Sequence, residues 1–365
     1  MISFKMTDEQ EIVREAMHEF AAEAVRPLAR EADEAERVPD GLLEKAHALA
    51  LVATQLPESA GGGGEARSPL TNAIVLEELA WGDASLALAA LAPAAFAFAV
   101  ADQGSEAQKR AYLPAFCGAA PHTAALALVE PGPLFDPALP RTLAEPKGER
   151  AFVLSGAKSF VPWARSASHF LVVARNNGGR DAFLVPRDAE GVRVGEPERN
   201  LGLRALPTAT LHLERVEVPA EARLGGPAGC DVQRLVDASR TALAAVQTGL
   251  SRAVLEYAVP YARERRAFGQ AIAQKQAIAF RLADMHIETE AQRWLVWKAA
   301  SQLERGLPAT RAAHHARLYA AQHAMWIADQ GVQVLGGHGF IREHPVEMWY
   351  RNARTLSVLE GTLSV

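Results

Sequence analysis

The sequence predicts a mainly α-helical protein with a β domain set into its middle. Three observations carry that expectation. Apolar residues recur at steps of three and four up to about residue 120. Short apolar runs broken by Gly, Pro and Asn follow, to about Gly226. Helical steps return from Val232 onward. The expected organisation is an all-helical domain at 1–121, a small β-barrel or sandwich at 122–230 and a four-helix-bundle-type domain at 231–365.

Bulk composition narrows the function classes. The chain has 365 residues, enough for two or three domains. It is 49% hydrophobic and 22% charged, which fits a globular protein and excludes wholesale disorder. A net charge of −5 offers no basic field for nucleic acid. Cys117 and Cys230 are far apart, form no metal or redox spacing and suit a reducing cytoplasm. The first residues lead into a charged helix without a signal-peptide core, which adds to the cytoplasmic expectation. The run from Ala84 to Ala101 has only Ser85 as a polar side chain and is within reach of a membrane span. Alanine dominates it, Pro93 interrupts it, and Asp83 and Asp102 flank it. The expectation is therefore a buried helix pair and no span.

Taken in order, Thr7 and Gln10 form a capping box that opens the first helix, carried on by Ile12, Val13, Ala16, Phe20 and Ala24. A second helix fits Pro39 to Leu51. The glycines 61–64 require a loop, with no preceding strand and no following Lys-Ser/Thr to make it a phosphate cradle. A third helix carries Glu77 and Glu78, and Ser105 with Gln108 caps a short one ending near Pro114. Phe152–Leu154 and Lys158–Val161 are expected as two strands across a Ser155-Gly156-Ala157 turn. His169–Ala174, Ala182–Val185, Val192–Val194 and Thr210–Val218 continue the series. Leu243, Val246, Leu250 and Val254 mark one long helix, Ile278, Leu282 and Met285 a second, and Ala312–Leu335 a third, stopped by Gly336-Gly337.

Glu360-Gly361-Thr362 is the chemically suggestive stretch. Gly permits positive φ and close backbone approach, so Glu360 could be held at a turn facing a cavity. Leu356, Val358 and Leu359 would supply an apolar neighbourhood that raises the carboxyl pKa, giving a base near neutral pH.

The domain order together with local motifs resembles the acyl-CoA dehydrogenase family of flavoproteins, over nearly the whole chain. The motifs are Leu56-Pro57-Glu58 with the glycines, Glu77-Glu78-Leu79-Ala80, and Gln108-Lys109-Arg110-Ala111-Tyr112-Leu113-Pro114. Later come Tyr261-Ala262-Arg263-Glu264-Arg265-Arg266-Ala267-Phe268-Gly269 with Gln276, then Gln333-Val334-Leu335-Gly336-Gly337-His338-Gly339-Phe340, and finally Glu360-Gly361-Thr362.

The resemblance implies FAD-dependent α,β-dehydrogenation of an acyl-CoA thioester. Glu360 would take the α proton, flavin would accept the β hydride, and the Glu360 N–H would help hold the thioester carbonyl. Arg240 and Gly361 would meet substrate. Val129, Phe160, Arg265, Phe268, Gln276, Gln333, Gly336, Gly337 and Thr362 would meet FAD, with the Arg265 and Gln333 groups serving a neighbouring subunit. That implies a homodimer or homotetramer, and an electron-transfer flavoprotein as acceptor. Some family members place the base at the position of Ser239, which cannot do that work. No metal is expected.

The sequence departs from the family pattern on the flavin face. Val129 and Phe135 replace a threonine and a serine, Pro162 replaces the threonine beside the reactive flavin nitrogen, and Leu359 replaces a tyrosine. Relatives also run on as a further helix beyond the position of Val365. Two alternatives stay open. One is a flavoenzyme acting on a non-CoA or carrier-bound substrate, the other a non-catalytic partner subunit of a hetero-oligomer.

Overall fold

The computed structural model describes residues 5–133, 135–177 and 179–365. Its N-terminal part is helical: α1 (Asp8–Phe20), α2 (Ala29–Ala35), α3 (Leu42–Ala48), α4 (Pro69–Gly82), α5 (Ala84–Gln103) and α6 (Glu106–Tyr112). Both expected capping boxes form, at Thr7 with Gln10 and at Ser105 with Gln108. Gln108 goes further: its side chain donates to Glu221 O and Arg223 O and accepts from Gly225 N, tying α6 to the end of the β domain. The N–H groups of residues 62–65 donate to the carbonyls of Pro57, Ala53, Leu56 and Thr54, so the glycine loop has spent its donors on its own chain.

The apolar run is one helix, not the expected pair. Pro93 lies inside α5, which is long and apolar enough to cross a membrane but has 78% of its apolar window buried within this protein. A proline cannot donate to the carbonyl four residues earlier, so the Ala89 carbonyl is freed. The Trp163 indole N–H supplies the missing donor at 2.8 Å, which lets the helix continue and fastens it to the β domain.

The middle of the chain forms β1 (Ala125–Ala127), β2 (Leu143–Lys147), β3 (Ala151–Pro162), β4 (His169–Asn176), β5 (Gly179–Pro186), β6 (Val192–Pro197) and β7 (Thr208–Pro219). Among the described residues the sheet order is β1-β4-β2-β3-β7-β6, with β5 paired to β4. β1 runs parallel to β4, and β2–β3, β3–β7, β4–β5 and β6–β7 are antiparallel.

β1 and β2 were not among the expected strands, and the two strands expected at 152–161 are one. The register slips between Leu154 and Gly156, where Gly156 adopts φ 153° and a Cβ would meet Thr142 Oγ1 at 2.6 Å; the supposed turn is a bulge inside β3. β4 is apolar on both faces for a structural reason. Phe170 and Val172 face the β core, while Leu171 and Val173 pack on the cluster around Phe96 and Val100 of α5.

The third part holds α7 (Val232–Glu264), the small hairpin β8 (Arg266–Ala267) and β9 (Gln270–Ala271), α8 (Gln276–Glu304), α9 (Thr310–Leu335) and α10 (Val346–Leu356). The apolar faces of α7, α8, α9 and α10 enclose one core that includes Leu243, Val254, Met285, Ile327 and Trp349, and α4 joins it through Leu76 and Leu79. Glu77 and Glu78, family landmarks in the sequence, are buried on α4. They pair with Arg252 of α7 and Arg293 of α8, so these carboxylates join the first domain to the last.

Candidate active site

A cleft of about 760 Å3 opens between the β domain and the helical bundle. One wall is the loop after β1, with Val129, Glu130 and Phe135, together with Ser159 and Phe160 of β3 and Glu198 before β7. The other is Arg240 of α7, His314 and Arg317 of α9, and the segment Ser357–Glu360 after α10.

Glu360 lines this cleft beside Arg240. The Arg240 Nε–H donates to both carboxylate oxygens, at 3.1 and 3.2 Å, and the two side chains are only 18% and 16% exposed. The apolar cage expected around this acid is not what forms. Val358 is exposed, Leu356 and Leu359 turn into the bundle core, and the carboxylate faces a guanidinium instead.

Two devices hold the segment. Gly361 adopts φ 72°, and a Cβ there would lie 2.5 Å from Leu128 Cβ, so the chain passes hard against the β domain as the Glu-Gly pattern predicts. The Gly361 N–H donates to Ser239 Oγ at 2.9 Å. Sequence reasoning weighed Ser239 only as a failed base; its hydroxyl is an anchor that pins the acid's loop to α7. Thr362, next along, is buried with a hydroxyl that has no partner among the described residues.

The β wall is built differently. The Val129 carbonyl accepts from Ser159 N–H at 2.9 Å, bringing the two motif strands side by side. Phe160 and Trp163 flank Pro162 with φ of 52° and 55°, a left-handed conformation that bulky residues adopt only when their surroundings enforce it. The enforcement is visible. The Phe160 N–H is taken by both Glu198 carboxylate oxygens at 3.2 Å, and the Trp163 N–H donates to Pro207 O at 2.8 Å.

Beneath this wall lies an ion pair that sequence reasoning missed, between Glu130 and Lys158 at 2.9 Å, both buried. Burial works against the Glu130 charge. The Lys158 ammonium and the donors at Thr142 and Arg141 outweigh it and hold this carboxyl at about 2.

The remaining expected residues do not reach this cleft. Arg265, Phe268, Gln276, Gln333, Gly336 and Gly337 lie exposed around the β8–β9 hairpin and the end of α9, with Phe268 94% exposed. Tyr261 links the two segments: its hydroxyl donates to Leu335 O at 3.3 Å and bonds His338 Nδ1 at 2.9 Å. The sequence-predicted residues thus fall into three groups: Val129, Phe160, Arg240 and Glu360 line the cleft, Gly361 and Thr362 are buried behind it, and the rest form an outward-facing patch.

A helical, β, helical chain with its cleft at the seam of the last two domains has the acyl-CoA dehydrogenase fold. Family comparison agrees along the chain. The N-terminal, middle and C-terminal domains of acyl-CoA dehydrogenase match residues 7–119, 125–216 and 231–365. The chain belongs to the acyl-CoA dehydrogenase family, whose named relatives are oxidoreductases acting on CH–CH donors. The mitochondrial short-chain specific acyl-CoA dehydrogenase of Bos taurus is 33% identical over 371 residues, covering 100% of this chain and 89% of that protein. The structure of butyryl-CoA dehydrogenase from Megasphaera elsdenii superposes with a TM-score of 0.89 at 30% identity, covering 99% of this chain and 96% of that one. The FAD complex of PigA shares the fold, with a TM-score of 0.89 at 24% identity over 99% and 96% of the two chains.

Proposed function

We propose that this protein dehydrogenates a short acyl-CoA thioester at its α and β carbons, with Glu360 as the base and FAD as cofactor. The observation that carries the reading is the Glu360 carboxylate, largely shielded from solvent, paired with Arg240 and lining the cleft opposite the β wall. An acyl chain in this cleft would present its α C–H to that carboxylate, while the Arg240 pairing holds the carboxylate in place. Arg240 and Gly361 would border the thioester. The short chain length is suggested by the two relatives named above, one short-chain specific and one for butyryl-CoA.

The residues present fit FAD. The orphaned, buried Thr362 hydroxyl is a donor in want of an acceptor, and Val129 and Phe160 give the β wall a smooth apolar edge. FAD, when bound, supplies the acceptor for the β hydride. Pro162 and Phe135 donate nothing to it, so its hold would depend on Thr362, on backbone groups and on the Arg265, Phe268, Gln276, Gln333, Gly336 and Gly337 patch. That patch faces outward, which supports its service to a second subunit and hence a homodimer or homotetramer. Domain boundaries at 1–121, 122–230 and 231–365, an electron-transfer flavoprotein as electron acceptor and a cytoplasmic location, in keeping with free Cys117 and Cys230, belong to the same reading.

Anaerobic titration of the flavin-loaded protein with a panel of acyl-CoA thioesters tests it. Bleaching of the flavin band by butyryl-CoA at stoichiometric amounts is expected. A spectrum unmoved by every thioester, in protein that holds flavin, would contradict it.

A further inference from the structure

Arg317 of α9 is buried, yet it is a charged side chain at the back of the cleft. Three acceptors hold its guanidinium: Gln247 Oε1 at 2.7 Å, Leu356 O at 2.6 Å and Leu359 O at 2.8 Å. Leu356 is the last residue of α10, and Leu359 immediately precedes Glu360. Carbonyls at a helix C-terminus lack partners within the helix and carry partial negative charge, and a planar fork of donors suits two of them at once. A buried charge persists only where it is paired and hydrogen-bonded. Burial pulls Arg317 below the ordinary arginine value, and the Glu360 carboxylate opposes that pull.

We infer that Arg317 is a positioning residue that clamps the Leu359–Glu360 peptide against α9, holding the base aimed into the cleft. The inference rests on Glu360 being the base. The charged and titratable groups around Glu360 are Arg240 of α7, Arg317 and His314 of α9, and Glu130, Glu198 and Arg199 on the β wall. Arg240 grips the carboxylate itself, whereas Arg317 grips the backbone that carries it. Loss of the Arg317 donors therefore frees the loop that carries the base.

The experiment compares Arg317→Gln, Arg317→Met and Arg317→Lys as flavin-loaded enzymes, with Glu360→Gln alongside. The rate of flavin reduction by butyryl-CoA is followed by anaerobic stopped flow across the pH range. Gln and Met are expected to lower the limiting rate by about 10²-fold, as a misplaced catalytic group does, with a smaller change in thioester affinity. Lys keeps a charged donor that reaches the same carbonyls and should recover most of the rate. If Met fails to fold, the Gln and Lys variants make the same comparison. Equal rate losses in Gln and Lys across the pH range would overturn the inference and leave Arg317 a packing residue. A Glu360→Gln enzyme at the unmodified rate would instead overturn the base assignment, so the two failures are separable.

Discussion

The two walls of the cleft are built on opposite plans. The helical wall aims its polar groups at the cleft and its loop: Arg240 on Glu360, Ser239 on Gly361, Arg317 on the Leu356 and Leu359 carbonyls. They stand on helices of 33 and 26 residues that share one packed core, so their geometry is inherited from the bundle. The β wall spends its buried acids on its own chain. Glu130 and Glu198 give their oxygens to Lys158, Thr142, Arg141, Phe160 and Thr210, and what faces the cleft is Val129, Phe135 and Phe160 beside Ser159, Arg199 and Asn200. The contrast teaches that the grip on the acid and its loop comes from the helical side, while the β side supplies shape, at the cost of a buried ion pair and two strained residues.

Each element of the β wall can be removed to test that contrast. Lys158→Met should have the largest effect, because it strands the Glu130 carboxylate in the interior; a loss of about 3–5 kcal/mol is expected in urea unfolding. A loss below 1 kcal/mol would show that the pair is not structural. Trp163→Phe keeps an aromatic side chain, though a smaller one, and withdraws the donor from the carbonyl that Pro93 orphans. A cost of about 1–3 kcal/mol is expected, read from the same unfolding curves, and Pro93→Ala in that background should restore part of it. Pro162→Thr should be the mildest change, tightening FAD by about 1 kcal/mol in a dilution assay if a hydroxyl there finds the flavin. Unaltered flavin retention would mean that position 162 has no say in cofactor binding.

Acid titration sharpens the same comparison. Glu130 has a folded value depressed from 4.5 to about 2. Its contribution to stability is therefore present above the unfolded value near 4.5 and is lost as pH falls through about 2. Glu130→Gln should flatten the fall in unfolding free energy between those limits, and an unchanged slope would place the acid sensitivity elsewhere.

Much of the fold was legible because its signals are local. The capping boxes at Thr7 and Ser105, the three-and-four periodicity of α7 to α9 and the Gly-Gly stop after Leu335 each depend on residues a turn apart. What stayed hidden depends on distant partners. Gly156 looks like a turn until the register with β7 makes it a bulge, and Pro93 looks like a break until Trp163 satisfies Ala89. The Glu130–Lys158 pair spans 28 residues, and no periodicity announces it. The site followed the same rule. Glu360, Gly361 and Arg240 belong to recognisable motifs, and of these Glu360 and Arg240 meet at the cleft. Ser239 and Arg317 do not: a helical serine and a helical arginine are indistinguishable in sequence from surface residues, and only the packing of α10 onto α7 and α9 gives them a task.

The most direct test of the account is single-turnover reduction of the bound flavin by butyryl-CoA in Glu360→Gln, with folding and flavin content checked by circular dichroism and absorbance. A folded, flavin-loaded variant whose reduction is slowed by about 10²–10⁴-fold, the usual worth of a positioned base, is the predicted result. Reduction at the unmodified rate would contradict the claim that this carboxylate removes the α proton.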